Sequence, residues 1–429
     1  MLDFIAEKDK IRIMEALSTA NTGFALDFFR QECKMQANRN ILFSPLSIAS
    51  TMATVYLGAK GSTAAQMAEV LHFNKVGEDG VATTTTKPQT YYKMEELLTN
   101  RCISLQKTNL DKSSNIHAAF QALNFEINKP TKNYLLRSVN QLYGEKSSPF
   151  NTEYLQSVKK YYNTEPQAVN FVEVAEEVRR EINAQVECQT EGKIQNLLPE
   201  DSVDSLTRLV LINALYFKGS WAKKFKDGVT RKQPFRINKT TTKPVQMMYQ
   251  RGKFNWNYIQ SVHTHVLELP YVNCDLSMFI LLPKDINDDT TGLQMLERDL
   301  TYEKLAEWTS PEMMEETEVE MFLPRFKMEE GYNLKSTLSS MGMPNAFSMG
   351  KADFTGMSER NELVLSQVFH KCFVEINEEG TEAAAATSAA MMARSLMSTV
   401  QFVADHPFLF FIRHNNTKSI LFFGRFCSP

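Results

Sequence analysis

The amino-acid sequence predicts an α+β fold, in which helices come first and strands dominate the second half of the chain. Apolar residues recur with a helical period in much of the chain up to residue 190, and short β-type runs follow. The last 30 residues alone contain three strand candidates. The strands follow one another mostly as antiparallel neighbours, an order that argues against a doubly wound parallel sheet.

Helices are predicted where apolar residues recur every three to four positions. In the first helix, Phe24 and Phe28 lie on or near one face. Gly58 is a candidate C-terminal cap of the second helix, and Ser62 or Thr63 is a candidate N-cap of the third. The predicted helices span 16–37, 47–57, 63–71, 116–123, 151–162, 172–190, 301–309 and 334–341.

Strands are predicted from apolar runs that end at turn-forming residues. The run from Leu209 to Phe217 has nine residues, which is too short to cross a membrane and indicates a buried strand. The run from Val368 to Val374 is a further apolar strand. The other predicted strands span 41–45, 232–237, 266–271, 276–282, 317–324, 399–403, 408–413 and 419–426.

Charge and cysteine content narrow the class of protein. The chain has 47 basic and 50 acidic residues, well mixed, for a net charge of −3. This balance provides no general attraction to nucleic acid or to acidic membranes. The six cysteines are widely spaced and form no CxxC pair, so mostly free thiols are expected, with one bridge through Cys102 left open.

The N-terminus shows no cleavable signal peptide, because charged residues interrupt it from Asp3 onward. A cytoplasmic protein is therefore the default expectation. Glycosylation sequons at Asn238 and Asn415 leave open a glycosylated, secreted form that reaches the outside by an unconventional route.

Residues 74–114 differ in composition from the segments around them. They include two glycines, four consecutive threonines from Thr83 to Thr86, and the pair Lys87–Pro88. This composition predicts a long, partly disordered surface insertion between helices.

No enzymatic chemistry is visible in the sequence. It contains no GxSxG, no phosphate-binding loop, no GxGxxG and no HExxH pattern. Nothing assembles a nucleophile, a base and an orienting group, so we expect no enzyme activity, no cofactor and no bound metal. His370 lies in an apolar strand, where a hydrogen-bonded core histidine is the expected interpretation.

The most informative segment follows Gly380, whose missing side chain permits an unusual turn. From Thr381 to Ala393 the only charged residue is Glu382, and all others are Ala, Thr, Ser or Met. In an extended conformation, every second residue from Thr381 to Ala393 would share one uncharged face, which could be buried without an ionic penalty. An alanine-rich helix or linker is the alternative interpretation. Arg394 follows, a residue type that trypsin-like proteases cleave after.

These residues resemble the serpin family. The run from Asn377 to Thr387, Asn-Glu-Glu-Gly-Thr-Glu-Ala-Ala-Ala-Ala-Thr, is similar to the hinge of inhibitory serpins. Further similar segments lie at 40–45, 211–221, 405–411 and 421–429. The missing signal peptide and the terminal Ser428–Pro429 resemble the ovalbumin-like intracellular branch of that family.

The resemblance implies a serpin fold for the single domain 1–429, with helices packed around three β-sheets and an exposed reactive-centre loop at 380–400. Met14 is similar to the usual start of the family, so residues 1–13 would be an N-terminal extension. Such a protein is expected to be mainly a monomer, although loop-sheet polymers can form in the family.

The resemblance also implies roles for particular residues. Counted from the hinge glycine, the scissile bond falls between Arg394 and Ser395. The implied hinge residues are Glu379, Gly380, Thr381, Glu382, Ala383, Ala384, Ala385, Ala386 and Thr387. Four residues are similar to the serpin shutter, the cluster beneath the central sheet: Ser44, Ser47, Asn213 and His370. Trp221 is similar to the breach residue at the top of that sheet, where the loop enters.

The implied function is suicide inhibition of a trypsin-like serine protease by formation of a covalent complex. Several segments, such as 165–169 and 401–406, resemble the plasminogen activator inhibitors of the branch, which implies urokinase or tissue plasminogen activator as partner. Residues 387–399 match those inhibitors poorly, which leaves the target open. The alternatives are a non-inhibitory ovalbumin-like serpin and an inhibitor directed at cysteine proteases.

Overall fold

The computed structural model describes residues 2–76, 112–360, 362–379 and 399–429, with side chains from residue 11 onward except at 112–115. The helices are α1 Leu2–Met35, α2 Pro45–Tyr56, α3 Gly61–Val70, α4 Lys112–Ile127, α5 Thr152–Tyr162, α6 Phe171–Gln189, α7 Gln294–Asp299, α8 Tyr302–Trp308 and α9 Lys335–Met341. The strands are β1 Ile41–Phe43, β2 Tyr134–Glu145, β3 Gln167–Val169, β4 Leu209–Gly219, β5 Arg231–Arg236, β6 Thr242–Ile259, β7 Thr264–Pro270, β8 Leu276–Pro283, β9 Glu315–Asn333, β10 Leu365–Ile376, β11 Val400–Val403, β12 Phe408–His414 and β13 Ser419–Phe426.

The strands form one hydrogen-bonded network, within which three sheets can be distinguished. The first sheet has the order β9–β10–β4–β2–β3, and the second has the order β6–β7–β8–β12–β13–β1. The third combines β11, β9, β6 and β5. The sheets are joined because β6 and β9 have 18 and 19 residues and pair with different neighbours at their two ends. The α+β prediction is confirmed.

The first sheet has a parallel pair in its interior. Strands β4 and β10 run in the same direction, with residues 365–374 beside 209–217. Their outer neighbours are antiparallel, since β2 pairs with β4 and β9 pairs with β10. The base of the predicted reactive-centre loop therefore leaves β10 at the end of a parallel seam.

Both faces of the first sheet are buried near this seam. On one face, Leu211 and Leu215 of β4 belong to the main core, which also holds helix α2, buried from Pro45 to Val55. On the other face, Val210 and Ile212 pack with Phe171 and other residues of α6. Burial on both faces explains why β4 is a continuous apolar run rather than an alternating one.

Several helix boundaries differ from the sequence prediction. Helix α1 begins at Leu2, so residues 2–13 continue the first helix instead of preceding it. Helix α3 begins at Gly61 with Lys60 as its N-cap residue, and neither Ser62 nor Thr63 caps it. The Thr63 hydroxyl instead accepts a hydrogen bond from the backbone N–H of Asp353 at 3.0 Å, which ties this helix to a distant loop.

The predicted insertion 74–114 lies mostly outside the described residues. At its start, residues 73–75 form a short 3-10 turn, and at its end α4 begins at Lys112, four residues earlier than predicted. Among the described elements, β2, β3, β6 and α7 were not predicted.

The packing of the second sheet can be tested where a glycine backbone lies close to a buried aromatic ring. Gly424 of β13 lies opposite Phe410 of β12, and a Cβ at Gly424 would lie 2.4 Å from the Phe410 ring. Because that ring is fully buried, Gly424→Ala should lower the free energy of unfolding by about 1–3 kcal/mol in urea denaturation. The matched control Gly252→Ala, whose Cβ would meet no atom closer than 3.5 Å, should change it by less than about 1 kcal/mol. Equal losses in the two variants would contradict this packing.

Candidate functional site

The base of the predicted hinge is bound to the segment that follows β4. The backbone N–H groups of Trp221 and Phe225 donate to the carbonyl oxygens of Glu379 and Glu378, at 3.1 and 2.9 Å. The indole Nε1–H of Trp221 donates to the carbonyl oxygen of Asn377 at 3.0 Å. Three hydrogen bonds to main-chain oxygens thus fix the course of the chain just before Gly380, and none of them depends on the side chains of residues 377–379.

Trp221 is held rigidly in this position. Its indole is buried and stacks on Tyr271, with ring centroids 4.4 Å apart and planes inclined by 20°. Trp221 and Tyr271 also form an isolated antiparallel β-bridge. The structure therefore places the sequence-predicted breach residue directly against the hinge base, and its role there stays a prediction.

Two carboxylates at the hinge base are bound by side chains from three other segments. Glu378 is 7% exposed, accepts a hydrogen bond from Thr230 Oγ1 at 2.7 Å and lies 3.7 Å from Arg325 Nη1 of β9. Glu379 forms a half-buried ion pair with Lys224 at 3.1 Å. These three partners could not be predicted from the sequence, because no local pattern marks a residue that meets the hinge only in the folded chain.

The four predicted shutter residues meet beneath the middle of the first sheet. Register pairing places four side-chain positions in one row across neighbouring strands: Asn140 of β2, Asn213 of β4, His370 of β10 and Tyr332 of β9. The row crosses the parallel seam between Asn213 and His370. Below it lies the N-terminus of α2, where Ser44 is the N-cap residue.

The hydrogen bonds of His370 fix its protonation state. The Ser44 backbone N–H donates to Nε2 at 3.1 Å, so this nitrogen carries a lone pair and the proton resides on Nδ1. Nδ1 then donates to the Asn213 side-chain oxygen across the seam. Because the imidazole is completely buried, burial lowers the pKa of His370 to about 3. The ring is a neutral, structural group, as the sequence analysis expected.

The Asn213 amide nitrogen continues the network toward α2 and β2. It donates to Ser47 Oγ and to Asn140 Oδ1, and it lies 3.1 Å from Thr51 Oγ1. Asn140 and Thr51 are polar members of the site that the sequence analysis missed. Asn140 belongs to the unpredicted strand β2, whereas Thr51 follows Ser47 by one helical turn and was visible from spacing.

Other predicted site residues fall in different places. Of the hinge, only Glu379 is described, whereas Gly380–Thr387, Arg394 and Ser395 lie outside the described residues. Of the two sequon asparagines, Asn238 is in the β5–β6 turn, where its side-chain oxygen accepts from the backbone N–H of Thr240. The Asn415 amide donates to Cys274 O and Ser277 Oγ at 2.9 and 2.8 Å.

The described cysteines, Cys33, Cys188, Cys274, Cys372 and Cys427, are all free thiols, and Cys102 lies outside the described residues. Within the described ranges, no group of three or more His, Cys, Asp or Glu side chains is arranged to hold a metal ion. No described helix is both long and apolar enough to span a membrane.

The depressed pKa of His370 predicts an acid-labile native state. The unfolded chain binds this proton near pH 6.5 and the native chain only near pH 3, so native stability is complete above pH 6.5 and falls as the pH is lowered toward 3. Between pH 7.5 and pH 5, the loss from this residue should be about 2 kcal/mol in urea unfolding. His265 and His414, whose pKa values burial also lowers, add in the same direction. His370→Gln should therefore remove only the His370 part of the pH dependence, and an unchanged dependence would contradict this.

Comparisons with known proteins identify the family and agree with the fold. Residues 19–429 match the family model described as "Serpin (serine protease inhibitor)". The chain is 51% identical to human plasminogen activator inhibitor 2 and 52% identical to Serpin B10 of Papio anubis, in each case over 416 residues that cover 97% of this chain and 100% of the relative. It superposes on the crystal structure of uncleaved ovalbumin with a TM-score of 0.81 at 38% identity, covering 96% of this chain and 100% of the other. The chain belongs to the serpin family.

Proposed function

We propose that this serpin is a suicide inhibitor of trypsin-like serine proteases, and that it is cleaved between Arg394 and Ser395. The observation that carries the proposal is the parallel pairing of β4 and β10 beside the hinge base. A segment that leaves the end of β10 and folds back would run antiparallel to both strands. It could therefore form antiparallel ladders with each of them if it entered between them.

The chemistry of the proposed reaction belongs to the protease. Its serine attacks the carbonyl carbon of Arg394, the bond to the Ser395 nitrogen breaks, and Ser395 leaves with the new amino terminus. Arg394 remains joined to the protease as an acyl ester. The freed arm 381–393 then inserts into the first sheet and carries the protease along, so that its active site is distorted and the ester is not hydrolysed.

Magnitudes support the insertion step. The arm has thirteen residues, which span at most about 43–47 Å when extended. Insertion breaks the parallel β4–β10 ladder and forms a new ladder on each side of the arm, so the net gain is about one ladder. At about 0.5–1.5 kcal/mol net for each of about a dozen hydrogen bonds, this gain outweighs the side-chain contacts that cross the seam. The uncharged face of the arm allows it to be buried without placing a charge in the core.

The proposed targets are plasminogen activators, of the urokinase or tissue type. This part of the proposal is supported by the 51% identity to a human relative named plasminogen activator inhibitor 2 and by the arginine at the proposed scissile bond. An arginine suits the acidic specificity pocket of trypsin-like enzymes. We further propose a cytoplasmic location, with unconventional release to the outside.

A covalent complex is the expected product when the protein is mixed with trypsin, urokinase or tissue plasminogen activator. It should survive denaturing electrophoresis and release a peptide that begins at Ser395. Arg394→Ala should abolish the complex with these enzymes, because their specificity pocket requires a cation. A cathepsin serves as the comparison for the cysteine-protease alternative. Clean cleavage without a complex and without a gain in thermal stability would contradict the proposal and favour a non-inhibitory protein.

Charge on the insertion face should convert the inhibitor into a substrate. Thr381→Arg places a cation on the face that the proposal buries, so insertion should slow and the protease should be released by hydrolysis. The matched control Glu382→Arg changes the adjacent position on the opposite face and should still yield mostly complex. The ratio of complex to cleaved protein measures this partition. Unchanged inhibition by the Thr381 variant would refute the insertion step.

A further inference from the structure

A cysteine thiol lies beside the shutter histidine. Cys372 is two residues after His370 in β10, so both side chains point to the same face of the strand. Cys372 is completely buried, and its Sγ lies 3.1 Å from His370 Nε2. Burial raises the pKa of this thiol well above its ordinary value, which keeps it protonated and able to donate. Nε2 thus faces two donors, the Cys372 S–H and the Ser44 N–H at 3.1 Å.

The contacts of the imidazole differ in where they are anchored. Asn213 belongs to β4, on the other side of the parallel seam, whereas Cys372 belongs to the same strand as His370. One strand inserted between β4 and β10 would move them apart by one further interstrand spacing, about 4.7–4.9 Å. The Asn213–His370 hydrogen bond cannot survive this separation, whereas the Cys372–His370 contact does not cross the seam.

We propose that the Cys372 thiol is a positioning residue for strand insertion, which holds the His370 ring in place when the bond to Asn213 is lost. The inference rests on the proposed function, because it concerns the opening of the same seam. In the closed sheet the ring is already bonded to Ser44 and Asn213, so the thiol contributes little. In the opened sheet the Cys372 thiol still lies on the same strand as the ring, whereas Ser44 precedes α2 and Asn213 belongs to β4. Removing the thiol therefore raises the energy of the open form more than that of the closed form.

Substitutions at Cys372 distinguish a hydrogen-bonding role of the thiol from a role in packing alone. If Cys372 only filled space, Cys372→Ala would be tolerated better than Cys372→Ser, since serine would bury a hydroxyl group in an apolar core. If the thiol acts as a hydrogen-bond partner, serine should replace it and alanine should not. Cys372→Val, which retains bulk but removes the donor, should then behave like alanine.

The experiment uses a synthetic peptide with the sequence of residues 381–393. Native electrophoresis measures the rate at which the uncut protein incorporates this peptide. Cys427→Ala is the matched control, because Cys427 is also a completely buried thiol but follows β13 in the second sheet. Urea unfolding of each variant checks that the native state is intact. Relative to this control, Cys372→Ala and Cys372→Val should incorporate the peptide about fivefold more slowly, and Cys372→Ser within about twofold. A fivefold change corresponds to about 1 kcal/mol, the contribution of one neutral hydrogen bond.

Equal rates for Cys372→Ala and the Cys427 control would overturn the inference, as would a Cys372→Ser variant slower than Cys372→Ala. If Cys372→Ala does not fold, the comparison of Cys372→Val with Cys372→Ser decides in the same way. Absence of peptide incorporation by every protein, including the unsubstituted one, would contradict the insertion step of the proposed function itself. Incorporation by all variants at one rate would leave that function standing and contradict only the role of Cys372.

Discussion

The hydrogen bond between Asn213 and His370 connects the two halves of the first sheet. It crosses the seam where β4 and β10 run parallel, at a depth where both side chains are almost completely buried. Both groups lose hydration there, and each is compensated by partners whose donor and acceptor roles match. The Ser44 N–H fixes the histidine tautomer, which fixes the orientation of the Asn213 amide, which in turn sets its bonds toward α2 and Asn140. One backbone group at the start of a helix thus sets the hydrogen bonds of His370 and Asn213 in the polar row.

A polar seam has a consequence that an apolar one would lack. Apolar side chains pack with any neighbour of suitable volume, whereas the polar row is satisfied only in one register and one separation of the strands. The closed sheet is therefore a well-defined state that can be lost as a unit. The hinge base is defined in a similar way, by three hydrogen bonds that residues 221–225 donate to its main-chain oxygens and by the buried carboxylate of Glu378.

The sequence predicted the parts of this arrangement that depend on local pattern. Strand β4 was predicted correctly because burial on both faces leaves a continuous apolar run. The hinge was predicted from its unusual composition, and it stays a prediction because only Glu379 of it is described. The roles of Ser44, Ser47, Asn213, His370 and Trp221 came from family resemblance, and the structure brings the first four together and places Trp221 at the hinge base. Asn140, Thr230 and Arg325 were missed because their roles depend on register and on contacts between distant segments.

The strands that were missed share a physical cause. β6 carries Lys243, Arg251 and Lys253 on exposed positions and pairs with different neighbours along its length, so its pattern of burial changes within one strand. β2 is mostly half-buried or exposed up to Gln141 and is continuously buried only from Leu142 onward. A period-two pattern is visible in a sequence only when one face stays buried throughout the strand.

In the proposed mechanism, the seam and the hinge base control the rate of insertion rather than its direction. Insertion breaks the parallel β4–β10 ladder, which a new ladder on one side of the arm replaces. The contacts left to offset are two ties, the Asn213–His370 hydrogen bond across the seam and the hydrogen bonds at the hinge base. A buried polar contact of this kind costs about 1–3 kcal/mol when one partner is removed, so these ties together amount to a few kcal/mol. The thirteen-residue arm offers about a dozen ladder hydrogen bonds at about 0.5–1.5 kcal/mol each, which is larger. Insertion is then favourable once the arm is free, and the closed form persists because both ties must open before the first new bonds can form. Cys372 stays beside His370 during that opening. It therefore acts on the opening step, where a difference of about 1 kcal/mol changes the rate of insertion relative to hydrolysis of the acyl ester and release of the protease.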